Sequence, residues 1–536
     1  MPLAFVVGGA ILILSILIHR LSSNSNVPIG ATVPPNPTGV PLFGNLFDIP
    51  SQHSWLKFKS WADQYGPIFR LSIFGRNLIV VSTEQVANDL LRERGNIYSS
   101  REQLPMAAQL MSQNLRPLLL PYGGKVNVLL EDQVAYAQAE LWRRGRKLMH
   151  SVTMHTAATS YQPVQVYESE RMLYDLVKTP EKYESIFERY AGAVIMRLAY
   201  GKTIETGDEP YVRDALKVVH TVERVASPGA YLVDTFPILM HLPTWLAPFK
   251  REASQLHEFE LSLFRKLLSE VRDKMKAGKP QMCFATTFLE RRPEFGLSDD
   301  EGAYVIGTLF EAGAGTTAAA MMSFVLAMCQ FPNWQTRLQQ EVDNIVGDAR
   351  MPDFGDIVKL PTVRAIAKET LRWRPVTAGG VPHQLIKDDV YKGFFFPAGT
   401  VVHANQWAIH HDPELYPDPE AFNPGRWLSP EYPTYREPLE KYPNLQNFSA
   451  FGFGRRICPG MNIAENSLHL LIARMAWTTV ISKKPGVEVP WYDYTTGFNV
   501  QPRPFAFDLR VRSERRMEIL YKNWELGKDR DPMNLP

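Results

Sequence analysis

The stretch Phe451-Gly452-Phe453-Gly454-Arg455-Arg456-Ile457-Cys458-Pro459-Gly460 constrains this chain more than any other, because it runs straight into an apolar helical pattern that starts at Met461. A cysteine placed just before a helix meets orphan N–H groups and the positive end of the helix dipole, and both favour a thiolate. Arg455 and Arg456 are expected to strengthen that field. The glycines permit positive φ and close backbone approach to something flat and bulky, while Phe451 can shield the sulfur from water. The loop is suited to present Cys458 as a ligand; the plain alternative is a buried free cysteine in a glycine-rich turn.

No Ser/Gly-rich linker or charge block divides the middle of the 536 residues, so one large globular unit is expected. A net charge of +2 with 45% apolar residues excludes a disordered chain and a basic nucleic-acid stripe. Cys283, Cys329 and Cys458 are too few for a disulfide framework or a cysteine-rich zinc site, and they suit a reducing compartment. Residues Leu3 to Ile18 are almost wholly apolar and His19-Arg20 follow. That pattern predicts an uncleaved membrane anchor over residues 1–20 with the bulk of the chain on the cytosolic side, a cleaved signal peptide being the competing reading. Residues 21–45, which include Pro34-Pro35-Asn36-Pro37, read as a stiff spacer, and 46–536 as the main domain.

Phe69 to Phe74 and Leu78 to Ser82 read as two short strands around a Gly75-Arg76-Asn77 turn, and Val390 to Phe396 and Thr400 to Ala404 as further strands of a central sheet. Helical periodicity dominates elsewhere, notably over Tyr161 to Val177, Glu181 to Tyr200 and Asp299 to Gln330. The expected class is mainly α with minor β sheets.

Four further patterns carry chemistry. Trp142 and Arg146 stand four apart on one helix face, where an indole N–H and a guanidinium could clamp a carboxylate. Ala312-Gly313-Ala314-Gly315-Thr316-Thr317 puts small residues inside a long helix, and a threonine bonding back to the i−4 carbonyl would open a pocket there. Glu369 and Arg372 are opposite charges three apart, with Arg426 in the later Pro419 to Trp427 stretch. His383 follows a Pro/Gly-rich segment.

Phe451-x-x-Gly454-x-Arg456-x-Cys458-x-Gly460, together with these patterns in this order, resembles the cytochrome P-450 monooxygenases, and most closely the membrane-anchored fungal members of secondary metabolism. The resemblance implies a triangular helical haem domain and haem b with Cys458 as axial thiolate. Trp142, Arg146, His383, Arg456, Phe451, Gly452 and Gly460 then correspond to cofactor-binding positions. It implies catalytic roles for Thr316 and Thr317, and a structural triad of Glu369, Arg372 and Arg426. It also implies an endoplasmic reticulum membrane location, a small apolar substrate, no nucleic acid, and electrons from NADPH-cytochrome P-450 reductase or cytochrome b5 docking on Arg143, Arg144, Lys147 and Arg455.

Two features depart from the family pattern. Gly315 stands where an acid usually precedes the threonine, and Glu311, one turn earlier, is the candidate substitute; a solvated surface Glu is the plain alternative. Residues 124–139 separate Pro121-Tyr122-Gly123 from the Trp142 helix and read either as a lengthened loop or as a translated intron. The missing acid leaves a reductase-independent haem isomerase or dehydratase open, and the insert leaves a catalytically impaired haem protein open. No nucleophile elbow, P-loop or zinc-protease motif is present.

Overall fold

Ser298-Asp299-Asp300-Glu301 is a helix-start signal, and the computed structural model of the protein turns it into a capping box. The Glu301 N–H donates to Ser298 Oγ at 3.3 Å and the Ser298 N–H donates to Glu301 Oε2 at 2.7 Å. The helix that follows, Asp299–Gln330, is buried from Gly302 to Phe310 and again from Ala318 to Cys329. An apolar surface all round marks an interior helix rather than a surface one. Among the described residues it is the one helix long and apolar enough to cross a membrane, yet 72% of that apolar window is buried inside the protein.

The structure describes residues 27–41, 43–123, 132–227, 229–436 and 448–527. The expected anchor over 1–20 lies outside them, as do residues 21–26 of the spacer and 124–131 of the insert. The long helices are α1 (Ser54–Tyr65), α2 (Asp132–Thr153), α3 (Gln162–Lys178), α4 (Tyr183–Tyr200), α5 (Pro210–Val225), α6 (Pro248–Lys276), α7 (Asp299–Gln330), α8 (Pro332–Val346), α9 (Pro361–Trp373), α10 (Met461–Thr478) and α11 (Glu514–Gly527). Strands β1 (Ile68–Ile73), β2 (Arg76–Val81), β3 (His383–Gln384) and β6 (Val401–Ala404) form one sheet in the order β1-β2-β6-β3, with β2 and β6 parallel. Between β3 and β6 in the chain, β4 (Asp389–Tyr391) and β5 (Phe394–Phe396) make a separate hairpin, and β7 (Thr479–Lys483) pairs with β8 (Phe507–Val511).

Helix existence and type follow the sequence closely, and strand detail follows it less well. The β1–β2 turn is Phe74-Gly75, with φ of 50° and 81°, so Arg76 and Asn77 belong to β2 rather than to the turn. Residues 390–396 are no single strand of the central sheet. Lys392 and Gly393, at φ 49° and 80°, fold them into the β4–β5 hairpin, the turn that two consecutive positive-φ residues make. The second half of the 124–139 insert is helical: α2 begins at Asp132, so these residues lengthen the helix that carries Trp142, and Ala139 is buried.

Glycines let the central helix sit close to its neighbours. A Cβ on Gly313 would lie 2.7 Å from Ile195 Cγ1 of α4, and one on Gly307 would lie 2.5 Å from the Phe264 ring of α6. Gly307→Ala is therefore expected to force the two helices apart and to destabilise the fold by about 1–3 kcal/mol, the cost of overpacking a filled core. A lowered denaturation midpoint with an unchanged denaturant slope would show it.

Candidate active site

Cys458 ends a loop whose backbone is held from several sides. Gly452 and Gly454 adopt φ of 83° and 53°, and a side chain on Gly454 would run into the Leu91 carbonyl. The Cys458 N–H donates to Phe451 O at 2.8 Å. Gly460 is the N-cap of α10, with an ordinary φ of −81°, so of the glycines named as cofactor-binding only Gly452 uses the left-handed region. Burial pushes the Cys458 thiol up; the N–H groups of Gly460 and Met461 and the charge of Arg146 pull it back toward the thiolate. The expectation that Arg455 and Arg456 supply this field is corrected. Arg455 is exposed and lies over the Tyr122 ring at 5.2 Å, and Arg456 turns to the carbonyls of Ser99, Pro117 and Leu120.

Beside the loop stands a cluster of cations. Arg146 donates to the Ile457 carbonyl, and Trp142, one turn away on the same face of α2, lies 4.6 Å under the Arg456 guanidinium. Arg101, which sequence reasoning missed, donates to Val381 O at 3.0 Å and Pro382 O at 2.5 Å. His383 on β3 is buried with Nδ1 2.8 Å from Tyr98 O. Burial first, and the neighbouring cations second, push Arg101 down to about 9, Arg456 well below its ordinary value and His383 well below its own. Burial also lowers Arg146. Among the described residues, no carboxylate forms an ion pair with Arg101, Arg146 or Arg456. One buried and two half-buried guanidiniums without a counter-charge mark a place for an anionic ligand.

The middle of α7 supplies a second surface. Ala312 and Gly315 are exposed, and Glu311, Thr316 and Thr317 half-buried, between two fully buried stretches of the same helix. Thr316 Oγ1 donates back to Ala312 O at 3.0 Å, as the sequence predicted. Nothing would meet a Cβ on Gly315, so an acid there is not excluded by space. Glu311 is no solvated surface residue: its side chain is 8% exposed and ion-paired with Arg116, itself paired with Glu260. Burial pushes the Glu311 carboxyl up and Arg116 opposes it. Arg116 carried no local signal of this pairing, since its carboxylate partners are 144 and 195 residues away.

The Glu369, Arg372 and Arg426 side chains meet in full burial. Arg372 donates to Glu369 through Nε at 3.0 Å and Nη2 at 2.8 Å, and Arg426 Nε lies 3.4 Å from Glu369 Oε1. Trp427 Nε1 and the Asn423 N–H also donate to Glu369, at 3.1 and 2.8 Å.

A thiol at a helix N-terminus, a group of cations lacking an anion, and an accessible strip on an interior helix fit a large, flat, acidic cofactor. The sequence model of the cytochrome P450 family matches residues 34–508.

The chain belongs to the cytochrome P450 family.

Cytochrome P450 monooxygenase virE of Hypocrea virens is 35% identical over 499 residues, covering 92% of this chain and 88% of its own. Cytochrome P450 monooxygenase fogE of Aspergillus ruber is 35% identical over 92% and 89%, and cytochrome P450 monooxygenase 113 of Postia placenta is 36% identical over 92% and 95%. A zebrafish cytochrome P450 solved with abiraterone shares the fold, with a TM-score of 0.66 at 23% identity over 86% of this chain and all of that one. This cytochrome P450 is thus a haem-thiolate monooxygenase that draws its electrons from a redox partner. The isomerase, dehydratase and impaired-protein readings are not favoured, because these relatives are named monooxygenases.

Proposed function

We propose that the protein oxidises a small apolar substrate bound against Ala312 and Gly315, in fungal secondary metabolism, with haem b held by Cys458. The arginine cluster beside the Cys458 loop carries this reading. Arg101, Arg146, Arg456 and His383, with Trp142, would hold the acidic side chains of the haem, while Phe451, Gly452 and Gly460 shape the loop against its face. When bound, the haem supplies oxygen activation with the Cys458 sulfur as electron donor. The protein's share is to bind substrate, exclude water and bring two protons for each oxygen atom inserted, since the other oxygen leaves as water. Thr316 holds a hydroxyl at the accessible strip with Thr317 beside it, and Glu311 takes the place of the acid absent at Gly315.

Electrons would come from an NADPH-cytochrome P-450 reductase, with cytochrome b5 as a second donor, on the face that presents Arg143 and Arg455. Arg144 and Lys147 are tied there to the carbonyls of Gly296 and Glu294. Residues 1–20 would anchor the enzyme in the endoplasmic reticulum membrane, with residues 46–536 cytosolic. The test is a reconstituted assay with such a reductase and a panel of terpenoid, steroid and aromatic polyketide substrates. Oxygenated product that requires NADPH is expected; product formed without NADPH would instead select an isomerase or dehydratase.

A further inference from the structure

The insert that sets this chain apart from the family spacing ends in a helix. Residues 132–141 are rich in alanine and glutamine and hold neither glycine nor proline, so the turns before Trp142 continue α2 rather than a loop. Tyr136 and Ala137 are exposed on that extension, and burial begins at Gln138 and Ala139. Gln138, Trp142 and Arg146 follow one another at intervals of four, which places them along one face of α2. From that face Arg146 donates to the Ile457 carbonyl, and Trp142 is held between the Tyr122 ring at 5.1 Å and the Arg456 guanidinium at 4.6 Å. The face that carries Gln138 is therefore the one turned to the Cys458 loop and its arginines.

Gln138 is 5% exposed, and neither its Nε2 nor its Oε1 meets a hydrogen-bond partner. Gln103, Gln165, Gln335, Gln384 and Gln406, the other buried glutamines among the described residues, each donate Nε2 to a main-chain carbonyl. An amide that has given up water without gaining a partner destabilises the protein, and alanine or leucine would serve the helix as well at this position. Within the arginine group itself, Arg101 also keeps a buried Nε without a partner, and its charge acts on Arg146 and Arg456. Unspent donors beside three cations that lack an anion call for an acceptor of negative charge. A glutamine amide suits the place, because it donates a hydrogen bond without adding a fourth positive charge.

We infer that Gln138 is a further haem-binding residue, its Nε2 donating to a haem carboxylate beside Trp142. The inference rests on the reading of the arginine group as the place of the acidic side chains of the haem. The insert then lengthens the grip on the cofactor and not only the chain, and α2 contributes three donors in place of two.

The test uses the full-length, haem-loaded protein and needs no substrate. Gln138→Met keeps the length and helix preference of the side chain and removes the donor, while Gln138→Glu sets a carboxylate against those of the haem. The rate at which haem passes to excess apomyoglobin, the propionate bending band in the resonance Raman spectrum and the reduction potential are measured. Gln138→Met is expected to release haem about tenfold faster, as befits the loss of a hydrogen bond to a charged acceptor. Its propionate band should shift and its potential should fall, because the haem carboxylates keep more negative charge near the iron. Gln138→Glu should release haem faster still. Faster release with an unmoved band and potential is what lost packing alone produces, and it would overturn the inference. So would a Gln138→Met protein that matches wild type throughout. Arg146→Gln then decides what remains: faster release there keeps the arginine group as the site of the haem carboxylates, and a wild-type rate there removes that reading as well.

Discussion

Cys458→Ala is expected to leave a folded protein that has lost the thiolate signature of its haem and on the order of 10³-fold or more of its turnover. The fold should survive because the loop is held by backbone: the φ angles of Gly452 and Gly454 and the Cys458 N–H to Phe451 O bond do not involve the sulfur. The chemistry should not survive, because the sulfur is the one group of the loop that can donate electron density to an iron. The two α10 amides and Arg146 that draw the thiol toward its ionised form would then have no anion to stabilise. The carbon monoxide difference spectrum of the reduced protein and product formation in the reconstituted assay measure this together. A thiolate band retained in Cys458→Ala would remove the assignment outright.

The second large effect is structural. Arg372→Leu is expected to destabilise the protein by about 3–5 kcal/mol, because it strands the fully buried Glu369 carboxylate beside a more distant Arg426. The same guanidinium serves the carbonyls of His410, Pro419 and Ala421, at 3.0, 2.7 and 2.9 Å, so three acceptors far along the chain also lose their donor. Chemical denaturation and the yield of haem-loaded protein check it. Stability within 1 kcal/mol of wild type would mean that water or a repacked arginine can replace the triad.

Much of this site was legible from local spacing. The i, i+4 relation of Trp142 and Arg146, the back-bond of Thr316 and the glycine loop before Met461 depend on residues a few positions apart, where local geometry alone sets the distance. The Glu369 triad was legible only through resemblance, since Arg426 lies 57 residues on. Residues whose roles depend on remote carbonyls or carboxylates gave no sign. Arg101 is recognised by the carbonyls of Val381 and Pro382, and Arg116 by Glu260 and Glu311. Arg455 and Arg456 misled for the opposite reason: adjacency to Cys458 in sequence says nothing of where a long side chain points once its loop has turned.

By itself, then, the sequence determined the helical class, the glycine loop before Met461 and the long α7 helix with its Thr316 back-bond, because periodicity, caps and glycine placement act over a few residues. Only the tertiary structure decided which charges are buried and with whom. It decided between a candidate acid and a surface Glu by burying the Glu311 side chain against Arg116, and it brought Arg101, Arg146, Arg456 and His383 to the Cys458 loop with no carboxylate ion-paired to those three arginines among the described residues. The physical reason is that the cost of a buried charge is set by every element that closes over it, and those elements come from α2, α6, α7 and β3 together.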